Sequence, residues 1–80
     1  MKYQVRITIA LKKGMLDPEA KAIRQALLDI GFETESLKIA RQFTVTFEAG
    51  DGADAERKAT AMCERILANP VIHTYTVEVL

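Results

Sequence analysis

Eighty residues make a single domain spanning 1–80, and a chain this short buries only about 60–65% of its unfolded surface, too little for a deep active-site cleft beside a full core. Eleven basic residues balance eleven acidic ones and the sequence pI is about 6.6, which argues against a nucleic-acid partner and its basic footprint. No apolar run approaches the ~20 residues needed to span a bilayer, MKYQVRITIALKK alternates instead of forming a signal-peptide core, and the lone Cys63 has no partner for an internal disulfide; no membrane association and a reducing, cytoplasmic location are expected.

Along the chain the hydrophobic period switches repeatedly. Tyr3, Val5, Ile7, Ile9 and Leu11 alternate with Gln4, Arg6, Thr8 and Ala10, the pattern of a half-buried strand over 2–12. From Asp17 the spacing turns helical: Ala20, Ile23, Leu27 and Ile30 share one face of a helix over 18–30, with Asp17 as N-cap, Pro18 opening it and Gly31 stopping it. Leu37 and Ile39 mark a short second strand over 36–41, and Phe43, Val45 and Phe47 alternate with Thr44, Thr46 and Glu48 in a third over 42–49. The turn cluster AGDGAD offers Asp51 or Asp54 as cap for a second helix over 52–68, whose stripe is Ala55, Ala59, Met62, Cys63, Ile66 and Leu67. Asn69-Pro70 ends it, and Tyr75, Val77 and Val79 alternate with Thr74, Thr76 and Glu78 in a last strand over 72–79.

The order βαββαβ predicts an α+β, ferredoxin-like sandwich. Two right-handed split βαβ crossovers put both helices on one face of a four-stranded antiparallel sheet, strand order 4-1-3-2. The parity of Tyr3, Phe43 and Tyr75 faces the helices. The opposite parity leaves a flat face of Arg6, Thr8, Thr44, Thr46, Thr74, Thr76 and Glu78, either simply solvated or buried by self-association. A small sheet has two edges that take up partners, so a homodimer or a pair of dimers is expected, through the edge of the last strand or the threonine face.

No catalytic constellation is visible. Cys63 sits on a helical stripe, where a buried small hydrophobe outweighs a nucleophile, and His73, the only histidine, opens a strand with no second metal ligand at useful spacing. Gly50-Asp51-Gly52 lacks the third glycine and the lysine of a phosphate loop. Glu33, Glu35, Asp51 and Asp54 fall in loops and caps, where solvation explains them. An RNA-reading sheet of this topology needs aromatics on its open face, and here that face carries threonines.

Two segments carry a resemblance over essentially the whole chain. In LKKGMLDPEAKAIRQALLDIGF, residues Leu11, Lys12, Gly14, Leu16, Asp17 and Pro18 match one motif; in MCERILANPVIHTYTVEVL, residues Met62, Cys63, Leu67, Ala68, Asn69, Pro70, Val71 and Ile72 match a second. In this register the chain resembles the PurS family, the small subunit of phosphoribosylformylglycinamidine (FGAM) synthase. It departs from the family pattern at Ala20 and Ala40, where glycines are usual, at Arg41, where lysine is usual, and at His73, where an acidic residue is usual. Arg41 keeps the charge and adds a planar donor fork.

The resemblance implies a non-catalytic subunit in purine biosynthesis. It would bridge a glutaminase subunit and a synthetase subunit and assist ammonia transfer, as formylglycinamide ribonucleotide is converted to formylglycinamidine ribonucleotide with ATP and glutamine. No cofactor is expected in this chain, because ATP and Mg²⁺ belong to the large synthetase subunit. The connector Lys12 to Leu16 then reads as a partner surface formed by Lys12, Lys13, Gly14 and Met15, with Arg41 joining it. Its other reading is a plain strand-to-helix loop. Leu16 is expected to fold under the helix as half of a hydrophobic staple. Two other function classes fit the same topology: a regulatory module like the amino-acid-binding ACT domains, with its ligand at Lys12-Lys13-Gly14, and a self-assembling structural protein.

Overall fold

The alternating residues of the first segment become the centre of the sheet. In the computed structural model, which describes residues 1–80, β1 (Lys2–Leu11) is followed by α1 (Pro18–Asp29), β2 (Ala40–Glu48), α2 (Gly52–Met62) and β3 (His73–Val79). The sheet is antiparallel with order β2-β1-β3. β1 pairs Ile7 with Phe43 on one side and with Val77 on the other, so one parity of all three strands lies on one face. Val5, Ile7 and Ile9 are buried there beneath Ala55, Ala59 and Cys63. The small alanines let α2 lie close over β1 and β3. The threonine parity forms the opposite, open face, as its pattern predicts, with Arg6 reaching Glu78 at 3.5 Å across it.

Both helix starts follow the local chemistry. The Asp17 carboxylate accepts the N–H of Ala20 at 3.1 Å with Pro18 opening α1, and Asp51 accepts the N–H of Asp54 at 2.8 Å to open α2. Gly31, at φ +97°, takes the left-handed conformation that stops α1. Ala20 is buried in the first turn of α1 and Ala40 lies in extended strand, so neither departure from glycine meets a turn that needs positive φ.

Four expectations need correction. First, the sheet has three strands, not four: residues 36–39 form no strand, and Ala40 and Arg41 are the opening residues of β2. Two strands abutting at 41/42 need a reversal, and Ile39-Ala40-Arg41-Gln42 contains none of the Gly, Asn, Asp or Pro residues that make one. The chain therefore runs straight on. Second, the two helices do not share a sheet face. The helix–sheet packing is that of α2, whereas α1 contributes one buried residue, Ala20, and projects away from the sheet. Third, Ile66 is 84% exposed instead of lying on the helical stripe. After Met62 the helix widens into a π turn, Cys63–Leu67, closed by the N–H of Ala68 donating to the carbonyl of Cys63. One extra residue per turn rotates Ile66 outward and keeps Cys63 and Ala68 inside. Fourth, Leu16 is 93% exposed and staples nothing.

Candidate docking surface at the connector

Lys12 to Leu16 leave the end of β1 through a backbone held at both ends. The N–H of Lys12 donates to the carbonyl of Ile72 at 2.8 Å, and the N–H of Met15 donates back to the carbonyl of Lys12 at 3.1 Å. Gly14 lies inside this turn at φ +87°, a conformation that a residue with a Cβ adopts only under strain. The turn throws Met15 into solvent, 45% exposed.

The return limb of the chain comes back beside this turn. Leu11, Lys12, Lys13, Gly14 and Met15 line one side of a cleft of about 260 Å³, and Lys38 and Ile39 close the other. An adjoining hollow of about 220 Å³ shares Leu11, Asp17 and Ile39 and adds Glu19, Arg41 and His73. Lys12, Lys13, Gly14 and Met15 are thus gathered in one cleft, with Arg41 in its neighbour. Lys38 is the member that sequence reasoning missed as a site residue: its partners lie more than twenty positions away, and only the return of the chain beside the connector brings it in. None of Lys12, Lys13, Lys38 and Arg41 has an ion-pair partner, and the Arg41 guanidinium lies over the Phe43 ring at 5.6 Å from its centroid. The Asp17 carboxylate at the rim is engaged at the helix N-terminus. The result is a cleft of mixed lining in which Leu11, Met15 and Ile39 lie among the unpaired cations Lys12, Lys13 and Lys38, with Asp17 at its rim.

The chemically suggestive side chains are occupied elsewhere. Cys63 is fully buried, and burial pushes its thiol pKa up, opposite to what a nucleophile requires. His73 Nδ1 accepts the N–H of Asn69 at 2.8 Å, which ties the turn between the π segment and β3. Asp54 accepts the N–H of Gly50 at 2.9 Å and pairs with Arg57 and Lys58; the Gly50 bond is the largest influence holding its carboxyl below the usual range. The Gly50-Asp51-Gly52 loop thus spends its polar groups on capping. Tyr75 donates to Glu64 at 3.1 Å, and this bond raises the phenol pKa. No group of three or more His, Cys, Asp or Glu side chains comes together as a metal site. Two larger depressions, of about 480 Å³ each, lie along the outer sides of α1 and α2 and are lined mostly by charged and polar side chains.

The two matching motifs therefore sit on a three-stranded sheet with a projecting helix, joined where Lys12 bonds Ile72. The family model for PurS, described as phosphoribosylformylglycinamidine (FGAM) synthase, matches residues 4–80. The chain belongs to the PurS family. Among curated PurS subunits, that of Methanothermobacter thermautotrophicus is 43% identical over 79 residues, covering 99% of this chain and 94% of the relative. The solved PurS structure from Bacillus subtilis superposes with a TM-score of 0.87 at 34% identity, covering 98% of each chain. A chain of the PurLQS structure from Thermotoga maritima, 23% identical and covering 100% of this chain and 99% of that one, shares the fold with a TM-score of 0.89. PurS membership accounts for both motifs, Leu11–Pro18 and Met62–Ile72. No helix of the chain is long and apolar enough to cross a membrane.

Proposed function

We propose that this chain acts as the non-catalytic small subunit of FGAM synthase in purine biosynthesis, bridging the glutaminase and synthetase subunits in the cytoplasm and helping ammonia pass between them. The observation that carries the reading is the PurS match over residues 4–80, and the PurLQS assembly that contains a chain of the same fold supports it. The synthetase subunit supplies the ATP and Mg²⁺ sites, and this chain holds no cofactor. Ammonia is small and neutral, so its transfer depends on excluding bulk water and holding two partners in register. The subunit does this as a homodimer or a dimer of dimers. Lys12, Lys13, Gly14, Met15 and Arg41 meet a partner subunit, with Lys38 completing the cationic rim. An amino-acid-binding role has less support: the connector cleft, at about 260 Å³, falls below the ~300–1,000 Å³ of small-molecule sites.

The test is reconstitution with the two partner subunits, read by co-sedimentation and by glutamine-dependent product formation. Omitting this chain spares glutamine hydrolysis and ammonia-dependent synthesis more than their coupling. Lys12→Glu combined with Met15→Asp weakens assembly while the fold is retained, because both side chains lie outside the core and the two hydrogen bonds of the turn are backbone bonds. Unchanged assembly and coupling in that double variant reduces the connector to a plain loop. Coupling that survives omission of the chain overturns the bridging role.

A further inference from the structure

Nothing inside the fold uses Ile66. A regular helix through Met62 carries it onto the face of Ala59 and Cys63, toward the sheet; the π turn instead sends it into water, 84% exposed, while Cys63 and Ala68 fill the interior. Turns of this kind are frequent at functional sites. Val71 is 72% exposed in the turn that follows, which the Asn69 side chain holds by accepting the Val71 N–H at 3.0 Å.

This turn, the π segment and the connector meet at one end of the molecule. The Lys12 N–H donates to the carbonyl of Ile72, and Leu67 of the π segment lines the same hollow as Leu11 and Asp17. Met15, Leu16, Ile66 and Val71 are therefore exposed on three neighbouring turns. The charges beside them are unbalanced. Lys12, Lys13, Lys38 and Arg65 have no ion-pair partner. Of the carboxylates on the same turns, Asp17 accepts the Ala20 N–H and Glu64 accepts the Tyr75 hydroxyl, which leaves Glu19. Clustered apolar side chains with a polar surround mark a protein-interaction surface, and an excess of cations selects an acidic partner.

We propose that this end is a docking face for an acidic, amphipathic segment of another subunit: Ile66 and Val71 anchor its apolar side together with Met15 and Leu16, and the four cations receive its carboxylates. The proposal rests on the bridging role put forward above; it extends the contact from the connector to the π turn and gives the chemistry of what sits there. A second copy of this chain is a poor occupant, because a two-fold axis at this end sets cations against cations. Nucleic acid is disfavoured by a formal net charge of zero and by the apolar side chains among the cations.

The test uses the complex reconstituted from this chain and the two partner subunits, with the isolated chain as control. Ile66→Asp combined with Val71→Asp is expected to weaken incorporation of this chain at least ~10-fold in sedimentation, since docking then buries carboxylates against an acidic, apolar segment. The urea midpoint of the isolated variant is expected to stay that of the wild type, because both side chains lie outside the core. Lys13→Glu with Lys38→Glu is expected to slow association and to flatten its dependence on salt. A photoreactive p-benzoylphenylalanine at position 66 is expected to cross-link to a stretch of the glutaminase or synthetase subunit that carries Asp or Glu between apolar residues. A wild-type chain that enters no complex overturns the bridging role, and this proposal with it. A complex that tolerates the Ile66→Asp, Val71→Asp pair, or a cross-link from position 66 to a second copy of this chain, overturns the docking face alone. Co-sedimentation of the isolated chain with vesicles of phosphatidylserine and phosphatidylcholine, lost in the same pair, overturns the acidic subunit as occupant in favour of a membrane surface.

Discussion

Two isoleucines that hydrophobic patterning treats alike are expected to behave oppositely. Ile7 is 0% exposed at the centre of β1, flanked by Phe43 and Val77, whereas Ile66 is 84% exposed on the π turn. Truncating Ile7 to alanine removes buried methylene and methyl groups and leaves a cavity under α2 that a strand paired on both sides cannot close. The expected loss is about 2–5 kcal/mol, with Ile7→Val costing about 0.5–1.5. A domain of 80 residues has about 4–12 kcal/mol in all, so Ile7→Ala takes a large fraction of the stability. With a urea slope near ~1 kcal/mol per molar, the midpoint falls by about 2 M or more. Ile66→Ala stays within about 0.5 kcal/mol, as surface substitutions do. Urea melts of the isolated chain followed by circular dichroism at one fixed protein concentration decide it; the concentration is fixed because association would add to the apparent stability. An Ile66→Ala cost equal to that of Ile7→Ala refutes the assignment of Ile66 to the outside of the π turn.

Asp17→Ala removes the bond to the Ala20 N–H and costs about 1 kcal/mol. Because α1 leans little on the sheet, the loss is read as faster amide exchange in the first turns of α1 more than as a lower global midpoint. Asp54→Asn lowers stability at pH 7 by an amount that shrinks on acidification. The Asp54 pKa is lowered on folding, so its stabilisation is fully present above the ordinary carboxylate pKa of about 3.9 and is lost as pH falls through the folded value. Urea midpoints at neutral and strongly acidic pH check this, and an undiminished deficit in acid counts against it. Cys63→Ala lowers stability through its fully buried position, and His73→Ala loosens the Asn69 turn; both leave turnover of the reconstituted synthase nearly intact once the fold is confirmed. A turnover loss of several orders of magnitude in a folded variant points to chemistry in this chain.

What the sequence determined by itself is what depends on neighbours along the chain. The alternation of Val5, Ile7 and Ile9, the Asp17-Pro18 opening and Gly31 stop of α1 and the parity that sends the threonines outward are all set within a few residues, and the structure has them; of the two caps the sequence offers for α2, Asp51 and Asp54, the structure uses Asp51. The two long motifs also carried the PurS family, because they place many residues in one fixed register. Tertiary structure alone decided three things. The strand expected at 36–41 had an alternating pattern yet no turn that would fold it back on β2, so local hydrophobicity found no partner. A single π turn rotated Ile66 out of a stripe that is regular on paper, since phase along a helix is lost wherever the pitch changes. The stripe Ala20, Ile23, Leu27, Ile30 marks an apolar face and says nothing of where the helix packs. Here α1 swings away from its own sheet, and the same swing leaves Lys38 beside Lys12 and Lys13, a cationic rim whose members lie on limbs that only the fold brings together.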